Sequence, residues 1–590
     1  MHIVDFLVIG VYLILMVLIG LKCRNSSKNI SDYIRMGNKS TWWLAGCSLF
    51  MASFSAATFT GIAGRAFVAG WSPMVTTLCT AFGFFIQAAF LTTILRRTRA
   101  ITPLDAVRSR FGPVAEQVKV YVSTFSAFFY AGFFLLGFGT FASAVFGIPL
   151  WIVIIGMGFV VIFYSVSGGS WSVQITDSLQ ALILIPVTLG FAILCLIKIG
   201  GFSGILEGIE AAGLSADFAF VKPEGHTYIT PVKVREGNFT LMYIAASVLG
   251  AITVSVNIST CHRYLSLRDE KSARNAALLA GSLTVFGCFI WFIPPIVGRL
   301  LYADDVLALD TISNPADAAY AITAMKILPP GMMGLIFVCM LAATMSSMDG
   351  FLTGTAGFIV RNLLQPISRR LGREDPHPLK LLKITKGVNL ALGLWGIIMA
   401  FILNKVGGDA GMFQVMQTLL TLIGSPVALP FALSLFVRRI PLWGLFSGIG
   451  FGICTSIILF YFRSKGITME WGYEVFLMTA VCIIPTLIST LFWKHTNPEF
   501  RERVDAFFIK IHTPIDANKE VGVSADKALL NTVGTYALTI ASLILLLIFG
   551  CDNWPERLTV LGICGFLGSI GGIMLVKSRG AKAALAETTP

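Results

Sequence analysis

The stretch SLFMASFSAATFTG, residues 48–61, lies at the centre of an apolar segment and yet is rich in hydroxyl side chains. The whole segment, 41–69, is long enough to cross a bilayer, because about 20 mostly apolar residues are sufficient. Gly46, Gly61 and Gly64 weaken it as a continuous helix. We therefore expect a transmembrane helix that is interrupted near its middle.

A second apolar segment, 238–262, repeats this pattern. Gly250 is followed by a cluster of small polar residues: Thr253, Ser255, Asn257, Ser259 and Thr260. The simplest alternative is that each hydroxyl bonds back to its own helix and does nothing else. Two matched clusters favour function, because unwound backbone inside a membrane survives only where it faces protein or a watery cavity.

The composition requires a membrane as the solvent. The 590 residues are 56% hydrophobic and only 13% charged, whereas soluble domains carry about 25% charged residues. We predict fifteen spans, near 3–21, 41–69, 73–95, 119–145, 150–168, 173–199, 238–262, 275–302, 331–360, 381–404, 411–437, 442–462, 471–493, 530–550 and 555–576. The last pair is separated only by residues around Asn553-Trp554-Pro555, which leaves a count of fourteen open.

The distribution of basic residues predicts the orientation. Most of the 44 Lys and Arg residues fall in alternate loops, including 96–119, 361–386 and 494–529. Since basic loops stay in the cytoplasm, we expect the N-terminus outside and the C-terminus inside. The first run lacks a basic leader and a cleavage site, so we interpret it as a retained helix.

The two interrupted spans each begin a group of five. The groups, 41–200 and 238–439, enter the membrane from opposite sides, which is typical of inverted-repeat transporters. We therefore predict an all-α polytopic membrane protein with a core of inverted five-helix repeats (5+5). One helix and a cytoplasmic loop, 1–40, precede the core, and about four further helices and a tail, 440–590, follow it.

The spacing in Ala342-Ala343-Thr344-Met345-Ser346-Ser347 predicts a cation site. Ala343, Ser346 and Ser347 share one helical face, and two carbonyls freed in 41–69 would complete five neutral oxygens. A site without a full charge suits a monovalent ion that must bind and then leave, whereas a tight divalent site would use carboxylates.

Three charged residues inside spans are further candidates, because an intramembrane charge is costly. Asp349 could begin a second cation site or carry protons. Asp177 could join it, or could simply favour the first turn of its helix. Arg65 could meet a substrate carboxylate, or could extend outward past Gly70 to solvent.

Two motifs resemble those of the sodium:solute symporter family, which includes sodium/glucose, proline and pantothenate carriers. Gly168-Gly169-Ser170-Trp171-Ser172-Val173-Gln174-Ile175-Thr176-Asp177 with Gln180 is similar to the family's Gly-Gly … Thr-Asp … Gln signature. Ala342 to Ser347 is similar to its Ala-Ala-x-x-Ser-Ser segment. Weaker support comes from Asp32-Tyr33, Arg263-Tyr264-Leu265-Ser266 and Arg438-Arg439. The resemblance covers roughly 1–490 and implies a leucine-transporter-type fold.

The resemblance also implies a sodium site. It would be formed by the carbonyls of Met51, Phe54 and Ala343 and the hydroxyls of Ser346 and Ser347. Some family members hold a second sodium one turn further on. In this sequence that ion would meet Asp349 and Asp177.

The sequence departs from family members of known specificity at Ser53, at Ala57-Thr58 and at Tyr130, so no substrate is assigned by resemblance. Ser55 and Thr58 keep a Ser-x-x-Thr pattern that some carboxylate-binding members use. The candidate substrate contacts are Ser53, Ser55, Thr58, Arg65, Gln87, Tyr130, Asn257, Gln414 and Gln417. The polar residues among them could equally act as contacts between helices.

These observations predict a secondary active transporter of the plasma membrane that moves a small polar solute with Na⁺ by alternating access. A sugar, a sugar acid or another organic acid fits best. A proton-coupled or sodium-independent carrier of the same fold is the alternative, and a membrane sensor or a channel is less favoured. The sequence shows no hydrolase or zinc motif. Its net charge of +13 comes from basic residues between the apolar segments, which predicts membrane orientation and does not indicate nucleic-acid binding. We expect no obligate protein partner.

Overall fold

The computed structural model describes residues 2–23, 30–55, 57–230, 238–255, 258–309, 314–373, 376–407, 418–467, 469–521 and 526–586. Within these ranges the chain is helical and contains no β-strand. The all-α prediction is therefore confirmed. Eleven helices are long and apolar enough to cross a membrane, and a bent pair of helices makes a further candidate.

The N-terminal part of the chain, up to Phe218, contains both the signature segment and the first interrupted helix. Its helices are α1 (Ile3–Cys23), α2 (Ile30–Arg35), α3 (Trp42–Ser53), α4 (Ala63–Ala69), α5 (Met74–Ile86), α6 (Thr92–Arg97), α7 (Pro103–Phe111), α8 (Pro113–Phe146), α9 (Leu150–Gly168), α10 (Ser170–Ile199), α11 (Gly201–Ala211) and α12 (Ser215–Phe218). Short 3₁₀ or π turns are Met36–Asn38, Thr58–Ile62 and Gln87–Leu91.

The next part of the chain contains the second interrupted helix and the Ser-Ser segment. Its helices are α13 (Leu241–Ser255), α14 (Glu270–Trp291), α15 (Ile293–Leu301), α16 (Ala303–Leu307), α17 (Ala319–Ile327), α18 (Met332–Phe358), α19 (Gln365–Arg370), α20 (Pro378–Gly407) and α21 (Ser425–Phe436). The connecting turns are Ile258–Ser266, Pro315–Ala318, Ile359–Leu364 and Leu419–Gly424.

The C-terminal part consists of two helical hairpins joined by short helices. It contains α22 (Leu442–Ser464), α23 (Trp471–Ile488), α24 (Pro498–His512), α25 (Ala517–Glu520), α26 (Asp526–Leu545) and α27 (Trp554–Ala586), with 3₁₀ turns at Ser489–His495 and Leu546–Gly550. The last two long helices pack against each other and against α10.

The described helices follow the predicted spans closely, with two informative differences. α8 begins at Pro113, and not at 119, because proline at the first helical position and Glu116 in the first turn favour an earlier start. α10 begins at Ser170, so Asp177 lies two turns inside the helix. The first-turn interpretation of Asp177 is therefore wrong.

The centre of the molecule is built around α3. It packs against α10, α14 and α18, and α18 also packs against α8 and α20. At the start of α18, the Asp5 carboxylate accepts hydrogen bonds from the backbone N–H groups of Gly331 at 2.8 Å and Gly334 at 2.9 Å. This contact fixes α1 to α18, because those N–H groups have no partner within their own helix.

Candidate functional site

The first predicted interruption is present. α3 ends at Ser53, and Phe54 is extended, with φ −104° and ψ 119°. The chain resumes as a π turn at Thr58, and the two helical halves meet at 58°. The backbone therefore leaves regular helix at the position where freed carbonyls were expected.

The Ser-Ser segment of α18 lies directly against this interruption. Ser347 Oγ donates a hydrogen bond to the Phe54 carbonyl at 3.2 Å and lies 3.5 Å from the Ala52 carbonyl. Ala343, Ser346 and Ser347 are all buried. Met51 lies in the last turn of α3, and its carbonyl accepts the Phe54 N–H at 3.3 Å. The structure thus brings one predicted hydroxyl, that of Ser347, to one predicted carbonyl, that of Phe54.

A charged cluster adjoins this corner. The Asp177 carboxylate accepts a hydrogen bond from Ser48 Oγ, and Arg263 Nη2 lies 3.5 Å from Asp177 Oδ2. Arg263 Nε also donates to Ser48 Oγ at 2.7 Å. Ser346 lies beside Asp177 without forming a well-aligned hydrogen bond to it. Asp177 and Arg263 are therefore a buried ion pair that reaches the edge of the Ser-Ser segment.

Asp349 is buried one turn along the same helix face. The guanidinium of Arg263 lies close to the backbone of the next residue, since a Cβ atom placed on Gly350 would be 2.8 Å from Arg263 Nη2. Arg263 also interacts electrostatically with Asp349. This guanidinium would thus compete with a sodium ion shared by Asp177 and Asp349.

Sequence reasoning missed Arg263, although it noted the Arg263-Tyr264-Leu265-Ser266 run. A signal was available, because this arginine directly follows an interrupted span. The 3₁₀ turn Ile258–Ser266 carries the side chain back into the protein. The predicted span 238–262 ends just before Arg263, so the sequence prediction left this arginine outside the membrane.

A cavity of about 430 Å³ opens beside the interruption. Five of the predicted substrate contacts line it: Ser53, Ser55, Thr58, Gln87 and Tyr130. The cavity is rich in hydroxyl groups and is flanked by aromatic rings, including those of Trp291 and Phe351. Tyr130 stacks on Phe351, with 5.1 Å between the ring centres. Asn257, Gln414 and Gln417 lie outside the described residues.

Two of these predicted contacts already have partners within the protein. Gln87 Nε2 donates to the Ser255 carbonyl at 2.8 Å, and Gln87 Oε1 accepts from Tyr264 at 2.5 Å. Gln87 therefore bridges the two halves of the second interrupted helix. Ser53 Oγ donates to the Phe50 carbonyl at 2.8 Å, within its own helix.

Arg65 does not line the cavity. Only 2% of its surface is exposed, so the expectation that it extends to solvent is wrong. Its guanidinium interacts electrostatically with Asp317. The Asp317 carboxylate packs against the same helix, since a Cβ atom on Gly64 would be 2.7 Å from it. Arg65 remains inside the protein because the carboxylate of Asp317 stabilises its buried positive charge.

Comparison with known proteins identifies the family of this chain. Residues 33–452 match the model of the sodium:solute symporter family. The chain belongs to the sodium:solute symporter family. It is an integral membrane transporter, not an enzyme, and couples the movement of a small solute to Na⁺.

The individual proteins that this chain resembles share only a low sequence identity with it. The chain is 24% identical to rat sodium/glucose cotransporter 2, over 78% of this chain and 72% of the relative. It is also 24% identical to human sodium/myo-inositol cotransporter 2, over 89% and 82% respectively. A solved structure of a Na⁺-coupled sialic acid symporter covers 83% of this chain and 98% of its own, with a TM-score of 0.69 and 19% identity. That likeness confirms the transporter fold.

Proposed function

We propose that the protein carries a small, hydroxyl-rich solute, such as a sugar or a sugar-like acid, into the cell together with Na⁺. The described cavity supports this class because hydroxyl donors and acceptors line it beside aromatic faces. Sites for small ligands combine apolar walls with a few placed polar groups. The relatives named above are cotransporters of glucose and myo-inositol.

The proposed sodium site consists of the carbonyls of Met51, Phe54 and Ala343 and the hydroxyls of Ser346 and Ser347. The observation that carries it is the 3.2 Å contact between Ser347 Oγ and the Phe54 carbonyl, because it joins the Ser-Ser segment to the interrupted helix. An ion held by both elements stabilises the arrangement in which they are close. Loss of the ion to the cytoplasm would then release α3 from α18.

One resident sodium fits the described arrangement. A second ion at Asp177 and Asp349 is a separate proposal, and it depends on movement of the Arg263 guanidinium. Since that guanidinium already supplies a positive charge beside Asp177, 3.5 Å away, a second ion would have to replace it.

The topology proposal places the N-terminus outside, the C-terminus in the cytoplasm and the protein in the plasma membrane. It is supported by the concentration of Lys and Arg in alternate loops. The inverted repeats are proposed as 41–200 and 238–439. The interrupted helices near their starts, α3 with α4 and α13 with the 3₁₀ turn Ile258–Ser266, support this division.

Transport in proteoliposomes tests the sodium site. Ser346→Ala combined with Ser347→Ala should abolish sodium-driven uptake of glucose, mannose or myo-inositol as probes, because two of the five oxygens are lost. Thr344→Val is the matched control: Thr344 is buried on the same helix, but its hydroxyl bonds back to the Met340 carbonyl at 2.9 Å. Unchanged sodium activation in the double variant would refute the site. Equal uptake in sodium and potassium would refute the coupling.

A further inference from the structure

Lys119 is a buried cation on the wall of the cavity. It lies in the second turn of α8, and only 3% of its surface is exposed. The sequence prediction had placed it at the boundary of a cytoplasmic loop. Because α8 begins at Pro113, this lysine instead points into the protein and lines the cavity.

The described side chains around Lys119 do not balance its positive charge. Its ammonium lies 5.0 Å from the centre of the Phe431 ring. In the described part of the chain it forms no ion pair and no hydrogen bond. A ring face stabilises a cation, but less than a carboxylate does at such a buried site.

The nearest acid along α8 is already committed to other groups. Glu116 Oε1 accepts from Asn362 Nδ2 at 2.6 Å, and Glu116 Oε2 lies 3.6 Å from Arg108 Nε. These contacts hold the Glu116 carboxylate in a polar network with the turn after α18. That network leaves Lys119 without its most obvious counterion.

The charges on the cavity wall have one sign. Its described lining residues include Lys119 and Arg263 but no Asp or Glu. Arg263 is paired with Asp177 at 3.5 Å, so its charge is compensated. Lys119 is the lining residue whose charge the described protein leaves uncompensated.

The geometry points to Lys119 as a recognition residue for the carboxylate of a transported organic acid, at the arm of the cavity between α8, α18 and α21. This inference rests on the proposed function and narrows its solute class to acids, such as uronic or aldonic acids. A single carboxylate suits the site, because a lysine is a compact point charge and not a bidentate fork. Phe431 closes one side of the ammonium and leaves the cavity side for the anion.

The test compares an acid with its neutral counterpart on the full-length protein. D-glucuronate and D-glucose are added in sodium buffer, and both the thermal shift and inhibition of sodium-driven uptake are measured. For the wild-type chain, glucuronate should act at a concentration at least tenfold lower than glucose. Lys119→Gln should remove this difference, and Lys119→Arg should retain most of it.

Lys383→Gln is the control, because Lys383 is exposed on α20 and lies outside the cavity. Replacing chloride by HEPES as the buffer anion separates an effect of the glucuronate carboxylate from an effect of chloride. A stabilisation that depends on Lys119 and is given fully by chloride would assign the site to an inorganic anion and overturn the inference. Equal effects of glucose and glucuronate on the wild type, or an unchanged preference in Lys119→Gln, would also overturn it.

The outcome is separable from that of the sodium site. If Ser346→Ala with Ser347→Ala abolishes sodium activation while glucuronate has no advantage over glucose, the proposed coupling stands and the role of Lys119 fails. If Lys119→Gln fails to fold, Lys119→Met, which keeps the length of the stem, takes its place in the same comparison. A preference for glucuronate that survives in Lys119→Met contradicts the inference.

Discussion

The two interrupted helices expose different chemistry to the centre of the protein. At the first interruption, α3 gives way to extended backbone at Phe54, and the nearby oxygens are uncharged carbonyls and the Ser347 hydroxyl. At the second, the 3₁₀ turn Ile258–Ser266 brings in Arg263, which pairs with Asp177. One break offers neutral ligands, and the other supplies a fixed charge.

The first interruption therefore suits an ion that binds and leaves, whereas at the second interruption an arginine of the chain balances the carboxylate permanently. Neutral oxygens bind a monovalent ion without holding it tightly, which suits an ion that must leave again in each cycle. A buried arginine beside a carboxylate is part of the chain and cannot leave. The freed Ser255 carbonyl at the second break is also satisfied from within the protein, by Gln87 at 2.8 Å. In the described part of the second interruption, the Ser255 carbonyl therefore needs no ion as a partner.

The largest effect is expected from removing the fixed charge. Arg263→Gln leaves Asp177 buried without its cation, and breaking a buried pair in this way costs about 3–5 kcal/mol. We expect a marked fall in melting temperature and loss of uptake that added sodium does not restore. Thermal melting in detergent and uptake at several sodium concentrations measure both effects.

The double variant Arg263→Gln with Asp177→Asn tests whether the loss comes from the unpaired charge. It should recover much of the stability, because a neutral amide pair replaces the buried ion pair. Arg268→Gln, in the same region but bonded to Asn518, is the control and should change little. A melting temperature of Arg263→Gln equal to that of the wild type would remove the contrast between the two interruptions.

A smaller effect of a different kind is expected at the first interruption. Ser347→Ala removes one neutral oxygen, and a hydrogen bond or contact to a charged group is worth about 1.5–3 kcal/mol. At about 1.4 kcal/mol per factor of ten, the sodium concentration for half-maximal uptake should rise roughly tenfold to a hundredfold. The maximal rate should return at high sodium, unlike that of Arg263→Gln.

This contrast in rescue distinguishes an ion ligand from a structural group. Sodium titrations of uptake for the wild type, Ser347→Ala and Thr344→Val are sufficient for the comparison. A defect in Ser347→Ala that persists at saturating sodium would assign Ser347 to the packing of α18 against α3.

Local pattern was enough to predict most of this architecture from the sequence. The span 150–168 begins and ends at the predicted residues, and the hydroxyl cluster at 48–61 marked the first interruption. The spacing of Ala343, Ser346 and Ser347 predicted a helix face at the interruption, and Ser347 of that face contacts the Phe54 carbonyl. These features depend on composition and helical periodicity within one segment, which the sequence shows directly.

Pairings between distant segments could not be predicted in the same way. Arg263 and Asp177 are 86 residues apart in the chain, and nothing in either segment identifies its partner. Lys119 was misplaced because charge alone marked the loop boundary, whereas Pro113 starts the helix earlier. Arg65 was a candidate because it is a charge inside an apolar span, but its neighbour Asp317 comes from a turn about 250 residues later, so the contact appears only in the fold.

The smallest effect concerns Tyr264, which supports the second interruption from behind the cavity wall. Its hydroxyl donates to Gln87 Oε1 at 2.5 Å, and it is absent from the described cavity lining. Tyr264→Phe removes that donor and should lower the free energy of unfolding by about 1 kcal/mol, the usual net value of one hydrogen bond. Solute affinity should remain unchanged if Gln87 serves to bridge helices.

Gln87→Leu, which also takes away the donor to the Ser255 carbonyl, should be more damaging to stability. A rise in the solute concentration for half-maximal uptake in Gln87→Leu, without a comparable loss of stability, would instead make Gln87 a solute contact. The second interruption would then share in binding, and the division between a binding break and a structural break would no longer hold.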